Sequence, residues 1–255
     1  MKDVIPMRAI LIALALFLAA IGGYAFKEFA VARNAAEVPT SIDQQISQYL
    51  KNHPEEVMTA LRLAQAKEER RKKDEAQQAL DVQQDQIFNN PADPVLGNLQ
   101  GDVTVVEFFD YRCPYCKRVA DSLMQLLKDD PNIKLVFKEF PILGPESVVA
   151  AKVALAAHRQ GKYEQVHTAF MSHKGSFDQA TLLDLAASVG ADRARLATDM
   201  QDPAILGLLQ ANESLAAALD ITGTPGFLFG KQLVPGAVSL DDMKELVSAA
   251  RAQAG

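Results

Sequence analysis

The chain has two cysteines in 255 residues, and both lie in Cys113-Pro114-Tyr115-Cys116. What flanks them constrains the fold more than any other feature. The stretch Val103-Thr104-Val105-Val106-Glu107-Phe108-Phe109 is β-branched and aromatic, which predicts a buried strand. After the motif, Lys117 to Lys128 places Val119, Leu123, Leu126 and Leu127 at helical spacing. The two thiols therefore sit where a strand runs into a helix. Pro114 suits the first helical turn, because its missing N–H is not needed there.

A C-x-x-C at such a junction reads as a redox pair. The thiolate attacks disulfides, and the unpaired N–H groups and dipole of a helix N-terminus favour a thiolate. Cys113 takes that position and is the candidate nucleophile. Cys116 lies one turn on and is expected to face inward. It is the candidate resolving thiol, attacking Cys113 in a mixed disulfide to release the substrate. Zinc needs about four ligands, and no second cysteine pair exists. His53, His158, His167 and His173 are distant in sequence, and the last three read as solvated helix residues, so no metal ligand is assigned. A purely structural disulfide across so short a loop would stabilise little.

Composition narrows the class. Hydrophobic content of 49% is ample for a core, and a net charge of −6 argues against nucleic acid as partner. No stretch reads as a phosphate-binding loop. Residues 9–26 form an uncharged apolar run preceded by Lys2 and Arg8. The run is long for a signal peptide and near the lower limit for a membrane span. It is either a signal peptide ending near residue 32 or a signal anchor. Both readings put the rest of the chain outside the cytoplasm, in a bacterial periplasm, where disulfides persist. An exported protein whose only cysteines form one C-x-x-C is expected to handle the disulfides of other proteins.

Residues 39–90 are expected to be helical. Ile42, Ile46, Tyr49 and Leu50 share one face of a short helix with Ser41 as N-cap. Asn52-His53-Pro54 interrupts it, and Pro54 opens a second helix predicted to run to about Phe88. Its apolar positions, among them Val57, Leu61, Leu80 and Ile87, cannot be buried by the helix alone. The charged run Lys67 to Glu75 reads as a solvated face. A linker rich in breakers, Asn89 to Asn98, follows, and residues 91–255 form the main domain. There Ile133 to Phe140 is a second strand. Residues from about 145 to 220 hold four or five helices, broken near Gly161, Gly175, Gly190 and Pro203. Thr224-Pro225-Gly226-Phe227-Leu228-Phe229 and Gln232-Leu233-Val234 form a hairpin, and Ser239 caps a last helix.

This order resembles the thioredoxin fold, an α/β architecture, and its helical insert resembles the DsbA-type thiol-disulfide oxidoreductases. The segment from Glu107 to Cys113 is similar to the family's strand into the active site, and Thr224-Pro225 to its cis-proline loop. Tyr49-Leu50-Lys51-Asn52-His53-Pro54-Glu55 and the charged helix after it resemble the oligomerisation segment of ScsC-like and Com1-like members. The resemblance implies a homodimer or homotrimer. It implies that Glu107 accepts the proton of the buried cysteine. It also implies that Thr224 and Pro225 dock substrate by its backbone, with Pro114 and Tyr115 at the same surface. Lys117 and Arg118 are placed to favour the Cys113 thiolate or simply to be solvated. Cys-Pro-Tyr-Cys is similar to the glutaredoxin motif, which implies a poise between the family extremes of about −270 and −120 mV. Thr224 before the proline, and Leu233-Val234-Pro235-Gly236 after the hairpin, resemble the DsbC and DsbG isomerases.

The reading is an exported protein disulfide isomerase with oxidase capacity and no cofactor. Its expected partners are unfolded or misoxidised exported proteins and a membrane redox protein, either a DsbD-like reductase or a DsbB-like oxidase. The rival readings are a monomeric DsbA-like oxidase, a periplasmic copper-tolerance protein binding Cu(I) through its thiols, and a surface antigen or scaffold.

Overall fold

The computed structural model describes residues 41–254. The apolar run at 9–26 and the boundary near residue 32 lie outside them. The chain divides into two compact units, one ending at Lys67 and one beginning at Glu68.

The described part of the first unit is helical. Helix α1 spans Ile42–Asn52 and is capped as predicted, with Ser41 and Gln44 exchanging side-chain to backbone bonds. Helix α2 spans Pro54–Val82, with Glu55 and Glu56 in its first turn. The Tyr49 hydroxyl donates to Glu56 at 2.9 Å across the break. Ile42, Ile46, Tyr49, Leu50, Met58, Leu61 and Leu63 are all exposed.

The second unit is built on a five-stranded sheet of order β1-β3-β2-β4-β5. Strand β2 (Val103–Phe109) is central and pairs in parallel with β3 (Ile133–Glu139). Strands β1 (Val95–Gly97), β4 (Gly226–Phe229) and β5 (Gln232–Pro235) run antiparallel to their neighbours. Helix α4 (Pro114–Asp129) links β2 to β3. Between β3 and β4 lie the five helices of the insert: α5 (Pro145–His158), α6 (Tyr163–Ser172), α7 (Gln179–Ser188), α8 (Arg193–Asp199) and α9 (Pro203–Ala218). Asp178, Asp192 and Asp202 cap the last three of these through backbone N–H groups. Helix α10 (Leu240–Ala254) closes the chain.

Both faces of the sheet are covered, which explains the near-continuous apolar run of β2. One face carries Val105, Phe109, Leu135, Phe137 and Phe227 against Cys116, Val119 and Leu123 of α4, the insert, and Met243 and Val247 of α10. The other carries Val106, Phe108, Val136 and Leu228 against Leu80, Ile87 and the end of α9 at Leu215. Among the described residues, no helix is long and apolar enough to cross a membrane.

The structure departs from the sequence expectations in three places. The long helix does not run unbroken to Phe88; it stops at Val82, and a short helix, α3 (Gln84–Phe88), redirects the chain so that Ile87 is fully buried. The breaker-rich linker contains an edge strand, β1, and the main unit starts at Glu68 rather than residue 91, because Leu80 and Ile87 fill its core. Within that linker, Asp93 is buried in an ion pair with Lys138 of β3.

Candidate active site

Cys113 is the N-cap residue of α4, and Pro114 takes the first helical turn. Its N–H donates to the Asp110 carbonyl at 3.0 Å, and its carbonyl accepts from Lys117 N at 3.1 Å. Asp110 itself is buried and orders the approach: its carboxylate accepts from Arg112 N at 2.7 Å and from Leu143 N at 2.9 Å. The segment before the thiols is thereby tied to the loop that enters the insert.

Both cysteines are free thiols. Cys113 is 4% exposed and Cys116 is 0% exposed, so only Cys113 offers any surface to a partner. Cys113 Sγ donates to the Thr224 carbonyl at 3.2 Å, across 111 residues of chain. Thr224 and Pro225 are joined by a cis peptide bond, and the Pro225 carbonyl accepts from Gly236 N at 2.8 Å. The loop leads directly into β4, which pairs with β2 from Phe108 to Val105.

Burial pushes the Cys116 thiol far above its ordinary range, and the Glu107 carboxyl pushes it further. Glu107 is the one charged residue of β2, is 1% exposed, and its Oε1 has no hydrogen-bond partner. Burial raises its carboxyl to about 8, close to neutral pH. A group that gains or loses a proton near pH 7 next to a thiol that resists ionising is suited to proton transfer.

Tyr115 is half exposed at the head of α4, with the Arg118 guanidinium 5.0 Å from its ring centre. Lys117 does not stand at Cys113. Its ammonium donates to the Phe170 and His173 carbonyls and lies 4.8 Å from the centre of the Phe177 ring, so it fastens α4 to the insert. The structure therefore brings Cys113 to the Thr224-Pro225 loop and sets Glu107 by Cys116, with Pro114 and Tyr115 at the head of α4, and it directs Lys117 elsewhere.

The histidines also differ from expectation. His167 is 3% exposed within the aromatic core, and burial lowers its imidazole to about 3. His158 and His173 are half-buried rather than solvated. The sequence reading missed Asp110, Tyr111, Glu139 and Tyr163, which surround the site. Lys138-Glu139 inside the apolar run Leu135 to Phe140 was a legible signal, since charges in a buried strand require partners.

A family model described as a DSBA-like thioredoxin domain matches residues 104–248. The chain is 30% identical over 157 residues to the thiol:disulfide interchange protein DsbA of Bordetella parapertussis, covering 60% of this chain and 75% of that one. A thioredoxin-like oxidoreductase from Silicibacter pomeroyi superposes with a TM-score of 0.64 at 45% identity, covering 66% of this chain and 97% of the other. Proteus mirabilis ScsC in a transitional conformation superposes with a TM-score of 0.63 at 29% identity, covering 86% of this chain and 99% of the other. Other curated relatives are Na(+)/H(+) antiporters, such as NhaA 1 of Salinispora arenicola at 30% identity over 168 residues; the match takes in 63% of this chain and 26% of that protein's length. The matched region runs from β2 through the insert to α10 and contains both cysteines, so the chain belongs to the family of DSBA-like thioredoxin domains.

Proposed function

We propose that this protein is an exported thiol-disulfide oxidoreductase that isomerises, and when oxidised also forms, disulfides in other exported proteins. The observation that carries the reading is the geometry of Cys113: a thiol at a helix N-terminus, bonded to the Thr224 carbonyl, with a second, fully buried thiol one turn behind it.

The Cys113 thiolate attacks one sulfur of a substrate disulfide. That S–S bond breaks, a mixed disulfide forms, and the departing substrate sulfur takes up a proton. In isomerisation a second substrate thiolate attacks the mixed disulfide, makes the new substrate disulfide and returns Cys113 as thiolate, with no net transfer of electrons. If rearrangement stalls, Glu107 accepts the Cys116 proton and the Cys116 thiolate attacks Cys113. The substrate leaves as a thiol, reduced by two electrons, and the Cys113–Cys116 disulfide remains. A membrane reductase of the DsbD kind restores the dithiol; a DsbB-like oxidase supports the reverse, oxidising direction.

Backbone N–H and C=O groups at Thr224 suit an extended, unfolded segment laid beside the site like an added strand. Pro114 and the exposed Tyr115 border the same surface. Residues 39–90 act as an assembly segment. Ile42, Ile46, Tyr49, Leu50 and Leu61 are exposed in the single chain, and a second or third copy buries such a row. The apolar run at 9–26 delivers the chain to the periplasm, as a cleaved signal or as an anchor.

Reactivation of a scrambled-disulfide protein tests this. Residues 39–255 should restore its activity, Cys113→Ser should not, and residues 68–255, which keep Leu80 and Ile87 in the core, should do so far less well. Failure of the long form would remove the isomerase reading. Equal activity in both forms would remove the need for assembly.

A further inference from the structure

The sheet face that carries Cys116 buries two carboxyls. Glu107 pairs with Phe137 and Glu139 with Phe109 in the β2–β3 register, so all four side chains point to one face. The surroundings of the two carboxyls differ. Glu107 Oε1 has no partner. Glu139 Oε1 accepts from the Tyr111 hydroxyl at 3.0 Å and from the Tyr163 hydroxyl at 2.9 Å. The Tyr111 oxygen also lies 3.2 Å from His167 Nδ1. The Asn212 amide donates to the Glu139 carbonyl at 3.2 Å. Glu139 thus gathers β3, the chain entering Cys113, α6 and α9 around itself.

Rings reinforce the arrangement. Tyr111 packs edge-on against Phe109 at 5.0 Å and Phe170 at 5.3 Å, and Tyr163 stacks on His167 at 5.5 Å. Phenylalanine at 111 or 163 would bury equally well, so stability by packing does not call for the hydroxyls or for the carboxyl. A fully connected polar network instead specifies one arrangement of the elements it joins. Tyr111 lies between Asp110, whose carbonyl holds the Cys113 N–H, and Arg112, whose guanidinium bonds the Leu143 carbonyl at 2.9 Å. Where Tyr111 is held, the head of α4 is held.

We propose that Tyr111, Glu139 and Tyr163 are positioning residues for the thiol pair: they fasten the chain entering Cys113 to the helical insert and so stabilise the dithiol form in which Cys113 Sγ–H meets the Thr224 carbonyl. The proposal rests on the thiol-disulfide exchange reading given above. Burial raises the Glu139 carboxyl and keeps His167 neutral, consistent with a network that stays uncharged or singly charged near pH 7.

The reaction that reads this out is oxidation of the pair by oxidised glutathione. The glutathione S–S bond breaks, the Cys113–Cys116 bond forms, and two electrons and the two thiol protons pass to two molecules of reduced glutathione. Loosening the dithiol form moves this equilibrium toward the protein disulfide. The constant is measured at pH 7 on residues 39–255 in glutathione buffers, with circular dichroism on each variant. Tyr111→Phe and Glu139→Leu should raise it at least about threefold, the worth of a lost hydrogen bond. Glu139→Gln retains an oxygen that accepts from both hydroxyls and should stay within about twofold of the parent. Tyr163→Phe should fall between.

An unchanged constant in a folded Tyr111→Phe protein overturns the proposal, whether or not Glu139→Leu folds. So does a Glu139→Gln shift as large as that of Glu139→Leu, because retained hydrogen bonds should rescue the site. If the parent protein does not equilibrate with glutathione at all, the exchange reading falls and this inference falls with it; a parent that exchanges beside unresponsive variants sinks this inference alone.

Discussion

On one face of the sheet Lys138 meets Asp93 with both side chains out of water, while on the other Glu107 stands in an apolar core with no partner for its Oε1. The Lys138 ammonium also donates to the Gln86 carbonyl, so the Lys138 charge is met twice, although Asp93 Oδ1, like Glu107 Oε1, has no hydrogen-bond partner. It draws the segment before β1 onto the sheet. Glu107 draws nothing together. A buried charge with good partners can be understood as scaffolding, whereas one without them opposes folding and asks for another reason to be there. In the proposed mechanism that reason is the Cys116 proton.

The largest effect expected from this contrast is at the compensated pair. Lys138→Met strands the Asp93 carboxyl and should cost about 3–5 kcal/mol in urea unfolding. Adding Asp93→Leu should recover most of that loss, because the stranded charge goes with it. A loss below about 1 kcal/mol in the single variant would mean that the pair contributes no more than a surface bridge does.

Glu107 should behave in the opposite way. Burial raises its carboxyl from 4.5 to about 8, so the folded protein holds this proton more tightly than the unfolded chain does. The associated stability is fully present below pH 4.5 and is lost as the pH rises to about 8. Glu107→Gln should remove that slope and leave the protein more stable at pH 8.5, on the order of 4 kcal/mol, with little change at pH 4. The same variant should slow release of substrate from the Cys113 mixed disulfide. Parallel stability curves for the two proteins from pH 4 to 8.5 would erase the distinction between the two faces.

The smallest effect belongs to an exposed pair, which serves as the reference. Lys231 and Asp81 approach to 3.0 Å with both side chains about half exposed. Lys231→Ala should change unfolding stability by less than about 1 kcal/mol, and added salt should reduce even that.

Much of this arrangement is legible in the sequence. The strand into Cys113, the helix after it and the hairpin after Pro225 follow from local patterns that tertiary contacts do not override. Helix breaks in the insert fall at Gly161 and Gly190, both at positive φ, and at Pro203, which opens α9. What escaped depends on residues distant in sequence. Strand β1 has three residues and is defined by its pairing with β3. The break at Gln83 contains neither glycine nor proline, and it serves the burial of Ile87. His167 has ordinary helical neighbours, and only the fold surrounds it with Phe109, Tyr111 and Phe137. Lys117 lies beside the thiols in sequence, yet its partners are more than 50 residues away.

The bond from Cys113 Sγ to the Thr224 carbonyl has a consequence for the life of the newly made chain. Thr224 follows Cys113 by 111 residues, and all five helices of the insert lie between them. A chain made from its N-terminus presents both thiols well before the loop that receives one of them has arrived. During that interval Cys113 and Cys116 are shielded neither by the insert nor by the proline loop. The earliest thiols this protein must keep from the wrong partner are its own.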